Sequence, residues 1–276
     1  MQMHHERRGA GRPLVLVHGL GSTWRSWDPV LPALAARREV VAVDLPGFGA
    51  TPPLDGEVSV ATLADALVGF LDAQGLRDAD LVGSSVGARL VLELARRGVG
   101  GHVVALDPGG FWDRRQRTVF AASIGASIRL VRLLRPVLPA LVGNPGTRSA
   151  LLAQLSPRPW ALPPELVLRE LRGWADAPSY DALLGALASG PVQEGAPDGT
   201  PGRVVIGWGR QDRVVTPSQA AVAGERFPGA RLHWFDACGH FPMWDRPEET
   251  VSLVLESTGD THPHPGTPVP DLGTPH

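Results

Sequence analysis

Lysine is absent from this 276-residue sequence, so all 26 basic residues are arginine. This absence excludes Schiff-base chemistry, Ser–Lys dyads and the phosphate-binding lysine of a P-loop. The single cysteine, Cys238, excludes an intramolecular disulfide framework and a cysteine-based zinc site. No run approaches about 18 consecutive apolar residues, and the polar N-terminal segment lacks the apolar centre of a secretion signal. We therefore expect a cytoplasmic protein without a transmembrane helix.

A large excess of either charge is also missing. The formal net charge is −2, and charged residues make up 20% of the chain. A protein that binds nucleic acid through its phosphates is normally basic, so we expect a small-molecule substrate and no nucleic-acid partner. The oligomeric state stays open. With 43% hydrophobic residues, the chain can bury the core of one large domain.

Short apolar runs alternate with amphipathic stretches along most of the chain. This alternation predicts an α/β fold, a mostly parallel central sheet flanked by helices, with functional residues at the carboxyl ends of the strands. The predicted strands are 14–18, 40–43, 80–83, 102–106, 203–208 and 230–235, and the predicted helices lie near 59–73, 86–97, 217–227 and 247–256. Since 13 residues precede the first run, we expect that the sheet begins one strand late or that the true start lies upstream.

One segment interrupts the alternation. Residues 111–190 are mostly helical in pattern and basic, with ten arginines against five acidic residues. They predict an inserted helical cap on a core formed by 1–110 and 191–257. The apolar positions of 117–135 favour a cap helix over a pocket, with contact to an anionic membrane as the less favoured alternative. Residues 258–276, with five prolines, predict a disordered tail.

The strongest motif is Gly83-Ser84-Ser85-Val86-Gly87. It fits the pattern G-x-S-x-G between a predicted strand and a predicted helix, which is typical of a nucleophile elbow. A sharp turn there forces the serine into a strained backbone conformation, and side chains at the glycines would clash. The alternative is a glycine-rich turn without chemistry. We expect Ser85 to be a nucleophile.

Such a serine needs a general base. Of nine histidines, five lie in termini that we expect to be flexible: His4, His5, His262, His264 and His276. His102 and His233 fall in predicted strands, and His18 is expected to hydrogen-bond within its own loop. His240 follows the last strand in a loop, which is the place for a general base.

The histidine in turn needs an orienting carboxylate, and the oxyanion of the reaction needs amide donors. Asp212 follows the penultimate strand and is favoured; Asp107, at the end of an earlier strand, is the rival acid. The glycine-rich loop at 18–22 follows the first predicted strand. Its Leu20 N–H and the N–H of Val86 are the expected oxyanion hole.

Together these segments resemble the α/β-hydrolase superfamily in its cap-bearing serine hydrolase branch. The resemblance rests on the motifs at 18–22, 44–49, 83–87, 207–212 and 239–242. It implies a Ser85–His240–Asp212 triad that needs neither metal nor cofactor. Haloalkane dehalogenases and epoxide hydrolases differ, because they use aspartate at the elbow. Ser84 also departs from the Gly-Asn-Ser that is typical of meta-cleavage-product hydrolases.

Aromatic residues near the cap and the histidine are candidates for lining the substrate pocket. They are Trp112, Trp160, Trp174, Phe241 and Trp244. An apolar pocket favours hydrolysis of a carboxylic ester or lactone of small-to-medium size. The alternatives are hydrolysis of a carbon–carbon bond by the same triad, or a non-enzymatic role as a small-molecule receptor.

Overall fold

The computed structural model describes residues 2–196 and 198–259. Within them the chain forms seven strands: β1 His5–Arg8, β2 Pro13–Val17, β3 Glu39–Val43, β4 Asp80–Ser84, β5 Val103–Leu106, β6 Val204–Gly209 and β7 Arg231–Phe235. They form one sheet in the order β1-β3-β2-β4-β5-β6-β7. β1 pairs antiparallel with β3, and the other pairs are parallel. The predicted α/β class and mostly parallel sheet are confirmed.

Helices cover both faces of this sheet, and most of the bounds agree with the predicted ones. The α-helices are α1 Leu31–Ala35, α2 Val60–Gln74, α3 Val86–Arg96, α4 Arg114–Leu134, α5 Leu138–Gly143, α6 Pro145–Leu152, α7 Pro164–Asp176, α8 Tyr180–Ser189, α9 Gln219–Arg226, α10 Pro242–Asp245 and α11 Pro247–Thr258. Short 3-10 helices span Trp24–Trp27, Arg135–Val137 and Pro159–Ala161. None of the helices in the described residues is both long and apolar enough to cross a bilayer.

The first strand of the sheet was not predicted, while the expectation of a missing N-terminal strand relative to similar proteins stays a prediction. β1 precedes the first apolar run, and His5 in it pairs with Val43 of β3. Its sequence, HERR, is polar because β1 is a short edge strand, and charged edge strands protect a sheet from pairing with other chains. His4 is also fixed, since its Nδ1 lies 2.8 Å from Oδ2 of Asp44. These two histidines therefore make defined contacts and do not lie in a flexible terminus, contrary to the expectation from the sequence.

The segment predicted as a cap runs between β5 and β6 and contains helices α4 to α8. Its first helix begins where Asp113 and Gln116 form a capping box, each side chain accepting the backbone N–H of the other. The predicted tail at 258–276 begins too early by one residue, because α11 includes Thr258. From residue 260 onward that prediction lies outside the described residues.

The parallel register brings the motif residues to one edge of the sheet. Ser84 of β4 pairs with Leu106 of β5, and the next residue, Ser85, donates its N–H to the Leu106 carbonyl over 2.9 Å. Asp107 follows β5 directly, while Asp212 and His240 follow β6 and β7 within a few residues. Their side chains therefore start from adjacent loops at the carboxyl edge.

At the opposite edge of the sheet, Asp80 is the centre of a buried polar cluster. Its carboxylate is fully buried and accepts hydrogen bonds from Arg38 (2.6 Å), Arg12 (3.0 Å) and the N–H of His102 (2.8 Å). The cluster joins β4 to the segments before β2, β3 and β5. It is remote from the motif edge, so it stabilises the sheet without taking part in the site.

Asp80→Asn is expected to lower the free energy of unfolding by about 3–5 kcal/mol, because it leaves the buried Arg38 cation without its counter-charge. Urea denaturation followed by circular dichroism measures this. The matched control is Asp72→Asn, which breaks the exposed Arg77–Asp72 pair at 2.7 Å and should cost less than about 1 kcal/mol. Equal losses in both variants would contradict the assignment.

Candidate active site

Ser85 stands at a turn so tight that its neighbours must be glycines. A Cβ on Gly83 would lie 2.2 Å from the Gly87 carbonyl oxygen, and a Cβ on Gly87 would lie 2.2 Å from the Val17 carbonyl oxygen. Ser85 itself has φ 56° and ψ −117°, a region that L-residues rarely adopt. Such strain persists only where the surrounding structure enforces it, and it is common at functional sites.

The side chains of Ser85, His240 and Asp212 form one hydrogen-bonded chain. Nε2 of His240 lies 2.9 Å from Oγ of Ser85, and Nδ1 lies 2.8 Å from Oδ2 of Asp212. His240 and Asp212 are almost completely buried. An ionised Asp212 fixes a proton on Nδ1, which leaves Nε2 as the acceptor for the serine hydroxyl.

Backbone contacts hold both partners of that chain in place. The free oxygen of Asp212, Oδ1, accepts the N–H groups of Val214 (2.7 Å) and Val215 (3.2 Å). The N–H of His240 donates to the carbonyl of Leu155, between α6 and α7, over 2.8 Å. The candidate base is therefore attached to the segment predicted as a cap.

A second buried carboxyl, that of Asp107, lies beside this chain. An oxygen of Asp107, an oxygen of Asp212 and a ring nitrogen of His240 lie within 4.8 Å of one another. Oδ1 of Asp107 accepts the N–H of Gly209 over 2.8 Å, whereas Oδ2 is buried with no hydrogen-bond partner among the described residues. Burial, together with the charge of Asp212, raises the pKa of Asp107 well above its usual range. Asp107 therefore holds its proton more readily than an exposed aspartate does.

Distance alone would let Asp107, Asp212 and His240 serve as metal ligands. Both ring nitrogens of His240 are, however, already used, one by Asp212 and the other by Ser85. The arrangement thus fits a proton-transfer chain better than a metal centre.

The expected oxyanion donors, Leu20 and Val86, line the same cavity as Ser85. Val86 is the first residue of α3, so its N–H has no carbonyl one turn before it in the helix. The neighbouring His18 is a structural residue, as expected. Its Nε2 accepts the N–H of Leu45 (2.9 Å), so the proton is on Nδ1, which donates to the Gly19 carbonyl (2.7 Å). Burial lowers the pKa of His18 and keeps the ring neutral.

The cavity next to Ser85 is lined mainly by apolar side chains of the core loops and of the inserted helices. Besides Ser85, His240, Leu20 and Val86, its lining includes Trp112, Phe120, Ile128, Val131, Leu155, Leu171, Trp174, Tyr180, Leu187, Val214, Val215 and Phe241. Three of the five predicted aromatic residues are among them: Trp112, Trp174 and Phe241.

The other two aromatic predictions need correction. Trp160 is 54% exposed and lies outside the cavity, because its short 3-10 helix directs the side chain to the surface. Trp244 lies behind the lining. Its ring is 4.1 Å from that of Phe241, its indole N–H donates to the Ser26 carbonyl (3.1 Å), and it supports the cavity wall.

The sequence analysis did not identify a polar contact between α7 and the loop that carries Leu20. The Ser22 hydroxyl donates to Glu170 over 2.9 Å and accepts the indole N–H of Trp174 over 3.2 Å. Burial raises the pKa of Glu170 to about 7. The contact ties the inserted helices to the candidate oxyanion loop.

Comparison with known proteins identifies the family of the chain. The model of the alpha/beta hydrolase family matches residues 14–253. The chain belongs to this family. Among its relatives is a 2-hydroxymuconate semialdehyde hydrolase of Pseudomonas sp. strain CF600, 30% identical over 89% of this chain and 86% of the relative. Another is a 2-hydroxy-6-oxo-2,4-heptadienoate hydrolase of Pseudomonas putida, 29% identical over 89% of this chain and 88% of the relative.

A solved structure, described as a membrane phospholipase A and bacterial virulence factor, is 25% identical to this hydrolase. It has a TM-score of 0.72 and covers 92% of this chain and 81% of the other. Because these relatives differ in their named substrates, membership of the alpha/beta hydrolase family establishes a hydrolase without naming the bond that it cleaves.

In this alpha/beta hydrolase, Asp107→Asn is expected to keep the hydrolytic kcat/KM within about threefold. Asparagine imitates a protonated aspartate, and it tolerates the positive φ of 47° at this position. Asp212→Asn is expected to lose activity by about 10³–10⁴-fold, because it leaves His240 without a charged partner. Steady-state kinetics of both variants measure the difference. A comparable loss in Asp107→Asn would mean that Asp107 is the ionised acid.

Proposed function

We propose that this protein hydrolyses a carboxylic ester or lactone with a small-to-medium apolar acyl portion, through an acyl-enzyme on Ser85. The observation that carries the proposal is the hydrogen-bonded chain of Ser85, His240 and Asp212 at the wall of an apolar cavity. We assign Ser85 as nucleophile, His240 as general base and Asp212 as the acid that orients it.

In the first half of the reaction, Oγ of Ser85 attacks the acyl carbonyl carbon while its proton passes to Nε2 of His240. The N–H groups of Leu20 and Val86 stabilise the oxyanion of the tetrahedral intermediate. When that intermediate collapses, the carbon–oxygen bond to the alcohol breaks. The alcohol leaves with the proton from His240, and the acyl group remains on Ser85.

In the second half, His240 removes a proton from a water molecule, whose oxygen attacks the acyl carbon. Collapse of the second intermediate returns the proton to Oγ of Ser85 and releases the carboxylic acid. Throughout, Asp212 stabilises the imidazolium form of His240. The inserted helices act as the cap, because α4 and α7 contribute Phe120, Ile128 and Leu171 to the wall that faces the acyl group.

Ser85→Ala is expected to abolish hydrolysis of p-nitrophenyl esters, with a loss of at least about 10⁴-fold in kcat, since no nucleophile remains. The wild-type protein should prefer medium chains in a series from acetate to decanoate. The matched control is Ser84→Ala. Oγ of Ser84 is buried and has no hydrogen-bond partner among the described residues, so this variant should keep wild-type activity. Equal turnover by wild type and Ser85→Ala would contradict the proposal.

A second candidate is hydrolysis of a carbon–carbon bond by the same residues. It is favoured by the two relatives named for dienoate-type substrates. Ser84 counts against it, because the resemblance to that group would place asparagine there.

The two candidates are separated by offering 2-hydroxymuconate semialdehyde beside the best ester and following the loss of its absorbance. We expect kcat/KM for the dienoate to be at least about tenfold below that for the ester, because Ser84 stands where the carbon–carbon hydrolases typically have asparagine. The reverse order would make carbon–carbon hydrolysis the function. Folded wild type that turns over neither substrate would favour the receptor alternative.

A further inference from the structure

One wall of the apolar cavity carries a buried cation. Arg89 lies one turn after Ser85 on α3, lines the cavity and is 2% exposed. Among the described residues, no acidic side chain lies within ion-pair distance of its guanidinium. Burying an unpaired charge costs several kcal/mol, so proteins rarely keep one without a use.

Neighbouring acids do not neutralise Arg89. The nearest in sequence is Glu93, whose carboxylate accepts hydrogen bonds from Arg96 (2.8 and 2.9 Å) and Arg97 (2.7 Å). Burial lowers the pKa of Arg89 to about 10, while the field of Glu93 opposes this shift. The guanidinium therefore remains charged at neutral pH.

The guanidinium is held in a fixed place. Nη2 donates to the Pro191 carbonyl over 2.6 Å, and Nε donates to Oε1 of Gln193 over 3.3 Å. These two contacts leave Nη1 without a protein acceptor in the described part of the chain. Gly110 lets the group approach the loop after β5, since a Cβ there would be 2.8 Å from Nε of Arg89.

A second unused donor lines the same cavity. Trp112 also lines the cavity, and its indole N–H is buried with no hydrogen-bond partner in the described chain. The benzene ring of Trp112 packs on the loop after β5, since a Cβ on Gly109 would lie 3.3 Å from its Cζ3, whereas the adjacent Gly110 faces Arg89. A cation and a neutral donor thus line one cavity, a pairing that suits a carboxylate.

We propose that Arg89 and Trp112 form a subsite for a carboxylate at the far end of the acyl group. The preferred substrates would then be esters of dicarboxylic acids, with the apolar cavity around their methylene chain. This inference rests on the proposed function, because it assigns the acyl group of the ester to this cavity. A dienoate substrate offers the same carboxylate chemistry, so the test includes both sources.

The test compares mono-p-nitrophenyl adipate with p-nitrophenyl heptanoate, a neutral ester of similar length. Wild type is expected to prefer the adipate ester in kcat/KM by about 10–100-fold, as for hydrogen bonds to a charged group. Arg89→Met should abolish the preference by raising KM for the adipate ester. Arg89→Lys, which keeps the positive charge, should retain part of the preference. Trp112→Phe should reduce it by a smaller factor. The matched control is Arg96→Met, on the same helix but outside the cavity lining, which should keep the preference.

A purely structural role for Arg89 predicts a different result. If Arg89 only joins α3 to Pro191 and Gln193, Arg89→Met will lower Tm and leave the adipate-to-heptanoate ratio unchanged, which overturns the inference. Equal kcat/KM for the two esters in wild type overturns it as well, while the proposed ester hydrolysis survives. Absence of any ester turnover by folded wild type would instead count against the proposed function.

A binding measurement keeps the inference testable if Arg89→Met does not fold. Isothermal titration of Ser85→Ala should show tighter binding of monomethyl adipate than of methyl heptanoate, which lacks the far carboxylate, and equal or weaker binding of monomethyl adipate overturns the subsite. The dienoate arm identifies the source of the carboxylate. The contradicting result is that Arg89→Lys raises KM for 2-hydroxymuconate semialdehyde and leaves KM for the adipate ester unchanged. In that case the carboxylate is that of a dienoate, and the dicarboxylic-ester inference is overturned.

Discussion

The candidate site depends on one steric constraint, the close approach of β4, α3 and the end of β2. With hydrogen atoms at positions 83 and 87, the backbones come within a distance that no methyl group would allow. The chain must then turn at Ser85 with a positive φ. The same turn places the Val86 N–H at the free end of the helix and sets Arg89 one turn further along the cavity. The proposed nucleophile, the proposed oxyanion donor and a cation thus take their positions from one contact.

Burial decides the charges around that contact. Asp212 accepts two backbone N–H groups and faces His240, so its negative charge is stabilised. Asp107 is fully buried, faces a neighbouring carboxylate and accepts a single N–H, so its pKa is raised. Two aspartates at the ends of adjacent strands therefore differ in their hydrogen-bond donors. This explains how a site with little solvent can hold two acids beside one histidine.

The sequence predicted the central strands, because strands buried on both faces appear as continuous apolar runs. It also predicted the residues that meet at the carboxyl edge, because their motifs directly follow those runs. It did not predict β1, whose polar residues match an exposed edge. Residue type could not separate Trp174, which lines the cavity, from Trp160, which faces solvent. The helical insertion has no alternation of apolar and polar residues that would show which way each side chain points. Arg89 could not be predicted for a related reason, because one arginine in the helix after the elbow has no pattern that shows whether it lines a cavity or faces solvent.

The Leu155 carbonyl that accepts the His240 N–H has a consequence for how such a protein can diversify. The loop that carries His240 is held by a backbone carbonyl of the inserted segment. Ser22 is likewise held by a hydrogen bond to Glu170 of that segment. The insertion is therefore not an interchangeable module. A chimera that receives the helices of another hydrolase must supply an acceptor at this place, or its histidine loop will lose one of its supports. New specificities would arise more easily by replacing cavity side chains than by exchanging the whole segment.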